Sequence, residues 1–289
     1  MYDNTVRLLL AAALVASAAS AQADVFNMPS GQTSLQFVTV GDSSNAADTT
    51  GYGSVPYVYQ MGKYDVTVGQ YCQFLNAVAT TDTYGLYNSG MSTDMPTFGI
   101  EQSGIPGSHS YSITGSYSQG VNCPIFDVTW GDAARFCNWL QNGQPNGREG
   151  SDTTETGAYA MSGATTDAQL MDVPSPSHSG SAAATYFLPT ENEWYKAAYY
   201  KSGGTDAGYW TYPTQSNTVP RNVLSATGTN NASFYWGGDT DPTNYLTPVG
   251  SFLLSPGPYR TYDMGGDVYQ WNEAKFLGNY RGLRGGSFS

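Results

Sequence analysis

Three short segments of this chain open with the same helix-start motif, a threonine followed three residues later by a side chain that can bond back to it. The motif begins at Thr67, Thr129 and Thr190, and each copy leads into apolar residues at helical spacing. Each predicted helix has only about three turns, so docking on a core must stabilise it more than intrinsic propensity does.

The segments between the helices contain short strand-like runs and long polar connections. The predicted strands lie at 35–40, 57–61, 125–128 and 186–188. Connections rich in Ser, Thr, Gly and Pro cover about 80–120, 142–184 and 202–219. Structureless stretches of this length are uncommon in a compact domain, and they are read either as linkers or as long surface loops. No segment between them has a balanced core of its own, which favours one domain with long surface loops.

Composition excludes some classes of protein. The 289 residues are 40% hydrophobic and only 12% charged, which argues against a disordered chain. The formal net charge is −12, and the eleven basic residues form no stripe along the sequence. Because nucleic-acid affinity depends on Lys and Arg neutralising phosphates, no nucleic-acid partner is expected. An acidic surface suits solubility and divalent cations better.

The N-terminus has the pattern of a secretory signal peptide, predicted over residues 1–23. Arg7 precedes an apolar run at 8–19, and Ala21-Gln22-Ala23 is a small-residue cleavage site before Asp24. The run is too short to cross a bilayer, and no later segment reaches the roughly 20 apolar residues of a membrane helix. The chain is predicted to be secreted or periplasmic; the alternative is an N-terminal core helix. Residues 24–54 are assigned to a lead-in with a strand, and 55–289 to the main domain.

Cysteines and histidines are few. Cys72, Cys123 and Cys137 show no C-x-x-C spacing, so neither a zinc site nor a redox pair is indicated, and three disulfide pairings remain open. Cys72 and Cys137 fall on apolar helix faces, where a buried structural thiol is the simpler reading. His109 and His178 lie in Ser/Gly-rich loops and are expected to be exposed to solvent.

Four blocks of sequence, in order, carry a family resemblance. Residues 61–67, 124–140 and 188–194 resemble the patterns M-G-x-[YF]-E-V-T, P-V-x-x-V-[ST]-W-x-D-A-x-x-[FY]-C-x-W and R-L-P-T-E-A-E-W. The C-terminal block, 262–271 with 284–288, resembles Y-[DN]-M-x-G-N-V-W-E-W followed by R-G-G-S and an aromatic residue. These are the signatures of the formylglycine-generating enzyme (sulfatase-modifying factor) family. The resemblance implies an α+β, C-type-lectin-like fold, rich in loops and frequent in secreted bacterial proteins.

The resemblance also implies a reaction. Active members of the family oxidise a cysteine of an unfolded sulfatase to Cα-formylglycine, using O2 and a Cu(I) ion held by two cysteines, soft ligands that suit this ion. Ser287 falls on a serine of the family's active site, whereas the family's cysteine pair would follow Phe288, beyond Ser289. None of the three cysteines aligns with that pair. Copper is expected only if those C-terminal cysteines exist.

Two explanations remain open for the cysteine pair. Either the sequence lacks the C-terminal end of the domain, or this homologue does not perform the reaction. The first explanation predicts an unfolded sulfatase-type polypeptide as the partner. The second predicts a catalytically silent, exported, lectin-like module whose Tyr/Ser/Gly-rich loop at 84–117 binds a glycan or protein ligand.

The family carries structural calcium, and the resemblance implies two sites here. The first set comprises the Asp263 side chain, the Gly266 and Val268 carbonyls and the Gln270 side chain. The second set comprises Ser233, Phe234, Asp241 and Thr243. All the ligands are oxygens, as a hard cation requires. Gln270 replaces the family's glutamate, which should weaken binding, and the alternative is that Asp263 caps a Gly-Gly turn without metal.

Overall fold

The computed structural model describes residues 26–180, 184–276 and 280–289. Its helices are α1 (Val68–Val78), α2 (Gly90–Thr93), α3 (Trp130–Gln141), α4 (Asp167–Asp172) and α5 (Glu191–Tyr199). The predicted signal peptide at 1–23 lies outside the described residues, and the division at residue 55 stays a prediction. Within the described part of the chain, no helix is long and apolar enough to span a membrane.

The three predicted helix starts are confirmed. At Thr67, Thr129 and Thr190 the hydroxyl accepts the N–H of the third helical residue, whose side chain accepts the threonine N–H in return. Two N–H groups that the helix cannot pair internally are satisfied in this way. Sequence analysis missed a fourth copy, Thr166 with Gln169, which starts α4 inside a segment predicted to be a loop.

In the described ranges, six strands form three separate antiparallel pairs. They are β1 (Phe37–Val40) with β2 (Tyr59–Gly62), β3 (Phe98–Ser103) with β4 (Ser110–Gly115), and β5 (Gln270–Phe276) with β6 (Tyr280–Arg284). The strands predicted at 35–40 and 57–61 correspond to β1 and β2. The strands predicted at 125–128 and 186–188 are wrong, because those runs have no strand partner beyond isolated contacts such as the Ile125 N–H to the Val66 carbonyl. The β3–β4 hairpin lies in a segment predicted to be a loop.

The largest core cluster packs the first helix against the third. Phe74 of α1 meets Phe136 of α3 edge to face, with ring centroids 5.3 Å apart, and Trp139 of α3 lies 5.3 Å from the same Phe74 ring. Ile100 of β3 is completely buried in the same cluster. The apolar stripes on the short helices are therefore used for docking, as their length requires. Mixed short helices and small sheets with long connections make this an α+β, loop-rich domain.

A buried ion pair anchors the long connection between α3 and α4. Arg135 of α3 donates from Nε to Glu155 Oε1 at 2.6 Å, and both side chains are almost fully buried. The Arg135 guanidinium also bonds the Ala164 carbonyl and lies over the Tyr84 ring, 4.5 Å from its centroid. Arg135 thus holds two residues of the α3–α4 connection, Glu155 and Ala164, against α3, and it also contacts Tyr84 of the α1–α2 connection.

We expect Glu155→Ala to destabilise the fold by about 3–5 kcal/mol, because it leaves the Arg135 charge buried without its partner. Urea unfolding followed by circular dichroism, with an unchanged m-value, measures the loss. Glu101→Ala is the matched control, since Glu101 is exposed on β3 and should change stability by less than about 0.5 kcal/mol. Equal effects of the two substitutions would contradict the anchoring role.

Candidate functional site

The C-terminal signature folds into a tight turn before β5. Asp263, Gly266 and Asp267 all have positive φ, at 58°, 95° and 53°. A Cβ on Gly266 would lie 1.9 Å from the Ser233 carbonyl oxygen, so only glycine fits there. The Asp267 N–H donates to that same carbonyl at 2.8 Å. The turn therefore brings the first predicted calcium set into contact with Ser233 of the second.

The R-G-G-S segment packs on this turn. The Gly266 N–H donates to the Gly285 carbonyl, and the Phe288 N–H donates to the Asp267 carbonyl, both at 2.9 Å. The Phe288 ring is stacked on Tyr245, with centroids 5.6 Å apart and planes inclined by 10°. The two halves of the C-terminal signature, separate in sequence, are thus joined by main-chain hydrogen bonds.

Ser287, the predicted active-site serine, lies in this packed segment and is partly buried. Its hydroxyl donates to the Ser289 carbonyl at 2.8 Å. Nearby, Arg284 forms an ion pair with Glu191 at the first turn of α5. This pair connects the R-G-G-S block with the L-P-T-E block. The hydroxyl of Ser287 therefore lies on a segment that an ion pair and main-chain hydrogen bonds hold in place.

Three carboxyl groups lie close together beside the turn: Asp65, Asp263 and Asp267. Burial and repulsion by neighbouring carboxylates raise the pKa of Asp65 well above its usual value and that of Asp263 to about 8. Burial raises the pKa of Asp267 to about 6, although hydrogen bonds from Thr247 oppose it. Asp65 Oδ2 and Asp263 Oδ1 are closed off from solvent and accept no hydrogen bond. Within the described residues, no Lys or Arg side chain forms an ion pair with the three.

Asp65 was not predicted as a site residue. It belongs to the block at 61–67, whose pattern indicated only the chain entering α1. The contact that brings Asp65 to the turn joins its Oδ1 to the side chain of Gln270, 205 positions away. Sequence spacing gives no sign of a pairing that distant.

Gln270 presents its amide nitrogen to the Asp65 side chain and to the main chain of Asp263. The indole Nε1 of Trp194 can only donate, and it lies 2.6 Å from Gln270 Oε1, which identifies that atom as the oxygen. Gln270 Nε2 then donates to Asp65 Oδ1 at 2.7 Å and to the Asp263 carbonyl at 2.9 Å. In this arrangement the Gln270 oxygen accepts from Trp194, and the Gln270 nitrogen, not the oxygen, faces Asp263.

The two predicted calcium sets differ in how well they fit the ion. In the first set, Asp263 Oδ1 is an unpaired buried carboxylate oxygen, and Asp65 Oδ2 adds a second, so the donor chemistry fits calcium. Gln270 fits only if its amide turns over. Across the described residues, no three His, Cys, Asp or Glu side chains converge at metal-ligand distances. A metal here would need main-chain carbonyls, as predicted for Gly266 and Val268.

In the second set, protein donors already use the principal oxygens. Asp241 Oδ1 accepts the N–H groups of Thr243 and Asn244 at 3.0 Å, and its Oδ2 accepts the Asn244 side chain at 2.8 Å. This is the self-capped turn typical of aspartate. Phe234 donates its N–H to Thr240 at 3.3 Å, and its ring contacts Trp236. Calcium at this set stays a prediction.

The expected exposure of His178 is wrong. Its side chain is only 7% exposed, its Nδ1 lies 2.8 Å from Glu193 Oε2, and its ring centroid lies 4.0 Å from that of Phe187. His109 is partly buried, near Tyr111. The sequence placed both histidines in Ser/Gly-rich loops, and loop composition does not reveal a long-range carboxylate partner.

All three cysteines are free and buried. Burial raises the pKa of the Cys72 thiol to about 11, and burial together with the Glu273 charge raises that of Cys137 to about 12. Burial and the nearby Asp267 and Asp241 charges also raise the pKa of Cys123. Because the thiolate is both the nucleophile and the metal ligand, none of these thiols fits a Cu(I) site.

Comparison with protein families identifies the class that this fold and signature define. The family model described as sulfatase-modifying factor enzyme 1-like domain matches residues 14–289. The chain therefore belongs to the formylglycine-generating enzyme (sulfatase-modifying factor) family, and the resemblance of the four blocks is confirmed. A comparison with curated proteins found no significant match.

We expect the native protein to react hardly at all with a thiol reagent such as DTNB at pH 8, because burial disfavours all three thiolates. In guanidinium chloride without reductant, three thiols per chain should react, since the chain has three free cysteines. Absorbance at 412 nm gives both values. Recovery of only one thiol after denaturation would mean that two cysteines form a disulfide.

Proposed function

We propose that this chain is an exported formylglycine-generating-enzyme-like domain on a C-type-lectin-like scaffold. The proposed reaction is the family's oxidation of a sulfatase cysteine to Cα-formylglycine. The observation that supports it is the family match over 14–289, together with the hydrogen bonds that join the two halves of the C-terminal signature. Ser287, held at that junction, is the proposed active-site residue.

The proposed reaction needs Cu(I), and only certain cysteines could bind this ion. The family's Cu(I) ligands are two cysteines that follow the aromatic position filled here by Phe288. Cys72, Cys123 and Cys137 are buried apolar thiols and do not substitute for them. The reaction therefore requires that the full-length protein carry those two further cysteines.

The test uses the full-length gene product, Cu(I), O2 and a cysteine peptide from a sulfatase. We expect a new aldehyde that reacts with a hydrazide probe and changes the peptide mass accordingly. Ser287→Ala should slow the conversion about five- to tenfold, the value of one neutral hydrogen bond of about 1 kcal/mol. Ser151→Ala, at an exposed position in the α3–α4 connection, should leave the rate unchanged. No aldehyde from the copper-loaded protein would overturn the enzymatic proposal.

A second candidate function is a catalytically silent, lectin-like binding module. The observation that favours it is a pair of exposed aromatic rings, Tyr235 and Trp236, which are 60% and 59% exposed in the connection between α5 and β5. Exposed aromatic faces are typical contact surfaces for sugars and proteins. If no aldehyde forms, glycan-array binding that Trp236→Ala abolishes would support the module.

We also propose structural calcium at the turn that holds Asp263. The unpaired Oδ1 of Asp263 and Oδ2 of Asp65, together with the Gly266 and Val268 carbonyls, would supply an all-oxygen donor set. A divalent cation would offset the repulsion between the buried carboxylates, which no basic side chain of the described residues offsets. Gln270 would join this set after its amide turns, or remain bound to Trp194 as a neighbour.

If calcium binds the native state alone, a hundredfold excess over Kd adds about 2.7 kcal/mol of stability. We expect a chelator to lower the melting temperature by roughly 5–10 °C, and calcium but not magnesium to restore it. Asp263→Ala should remove the response because it removes the side-chain oxygen, and Gln270→Glu should strengthen it by adding a charged ligand. Asp241→Asn is the control that separates the second set from the first. An unchanged melting curve with chelator would leave Asp263 as a turn residue without metal.

A further inference from the structure

A cavity of about 420 Å³ lies between β2, α3, the segment 184–189 and the start of β5. Its wall is mostly apolar and aromatic, and includes Phe37, Tyr71, Phe136, Leu140, Tyr186 and Leu188. Two further wall residues, Val58 and Tyr269, are each 56% exposed, which places its opening at the surface. The volume falls within the range of pockets that bind small molecules.

His178 lies in this wall, and a carboxylate fixes the orientation of its ring. Its Nδ1 is 2.8 Å from Glu193 Oε2, and a carboxylate can only accept, so the proton is on Nδ1. Glu193 also accepts the Tyr57 hydroxyl and the Thr190 N–H, at 2.9 and 2.7 Å. Burial opposes the ionisation of Glu193, but its hydrogen bonds to His178, Thr190 and Tyr57 outweigh that effect, so the pKa of Glu193 lies below its usual value.

The second imidazole nitrogen of His178 has no partner. With the proton on Nδ1, Nε2 of the neutral ring is an acceptor, and it is buried without a hydrogen bond. The described chain supplies no donor to it, although a buried acceptor normally has one. A molecule in the cavity that carries a hydroxyl group would supply that donor.

The charges of the wall restrict the ligand further. Among the described residues, the lining includes the ionised carboxylate of Glu193 and no lysine or arginine. A carboxylate or phosphate ligand would therefore meet like charge without a cationic partner. The aromatic wall favours an apolar body, and the unpaired nitrogen favours one neutral donor.

We propose that this cavity binds a small, uncharged, largely aromatic molecule with a hydroxyl group, and that His178 accepts the hydrogen bond from that hydroxyl. Glu193 acts as a positioning residue, because it fixes the tautomer and the orientation of the ring. The site requires neither copper nor a sulfatase, so it stands independently of the proposed reaction.

The probes are 2-naphthol and naphthalene, which differ only by the hydroxyl group, with 2-naphthoate as the anionic analogue. Equilibrium dialysis against the full-length protein measures the Kd of each. We expect 2-naphthol to bind about tenfold more tightly than naphthalene, the effect of one hydrogen bond to an otherwise unpaired buried acceptor. We expect 2-naphthoate to bind less tightly than 2-naphthol. Equal affinities of 2-naphthol and naphthalene, or binding of neither, would overturn the proposal.

The variants assign the preference to one side chain. His178→Phe keeps an aromatic ring in the wall and should bring the two Kd values within about twofold while naphthalene still binds. His109→Phe, at the chain's other histidine, should keep the tenfold preference. Val58→Trp at the exposed opening should weaken both ligands. A preference for 2-naphthol that survives in His178→Phe would contradict the role of the imidazole.

Discussion

In this fold, buried polar side chains form hydrogen bonds with main-chain N–H and C=O groups that regular secondary structure leaves unpaired. Asn138 of α3 donates to the carbonyls of Thr154 and Tyr159 and accepts the Tyr159 N–H. Asn122 and Asn45 bond main-chain groups in the N-terminal part of the chain in a similar way. Because an unpaired buried N–H or C=O is costly, long loops can pack closely only if such partners exist. In the described part of the chain, the long connections between the short strand pairs and the helices depend on this constraint, as does the anchoring of the α3–α4 connection by Arg135.

The same constraint explains what could be predicted from the sequence. The starts of α1, α3 and α5 were predictable because a capping box is local, with both partners within four positions. The strands at 125–128 and 186–188 were wrongly predicted, because their apolar runs pack as extended chain held by individual contacts. The β3–β4 hairpin was missed since its Ser- and Gly-rich composition is typical of a loop. Local patterns identify elements with local partners, and the remaining elements depend on pairings across the chain.

The candidate site shows the same division between local and distant signals. The turn at Asp263 and Gly266 was predictable from its residues, and the structure confirms that only glycine fits at 266. The orientation of Gln270 was not, because Trp194 determines it from 76 positions away. Asp65 joins the site through that same Gln270 amide. A glutamine at 270 therefore does more than remove a charge: it places a hydrogen-bond donor against Asp65 and the Asp263 carbonyl, at a position where the resemblance expected an oxygen ligand.

Glu193 shows why a correct sequence interpretation can still be incomplete. As the third residue of α5 it closes the capping box with Thr190, and that role alone accounts for its presence in the motif. The oxygen that accepts the Thr190 N–H also accepts His178 Nδ1, while the other oxygen holds Tyr57. The start of a helix and the orientation of a cavity-lining imidazole thus depend on one carboxylate. Since helix capping already explains Glu193, the sequence gives no sign of its second partner, which only the packing of 178 against α5 reveals.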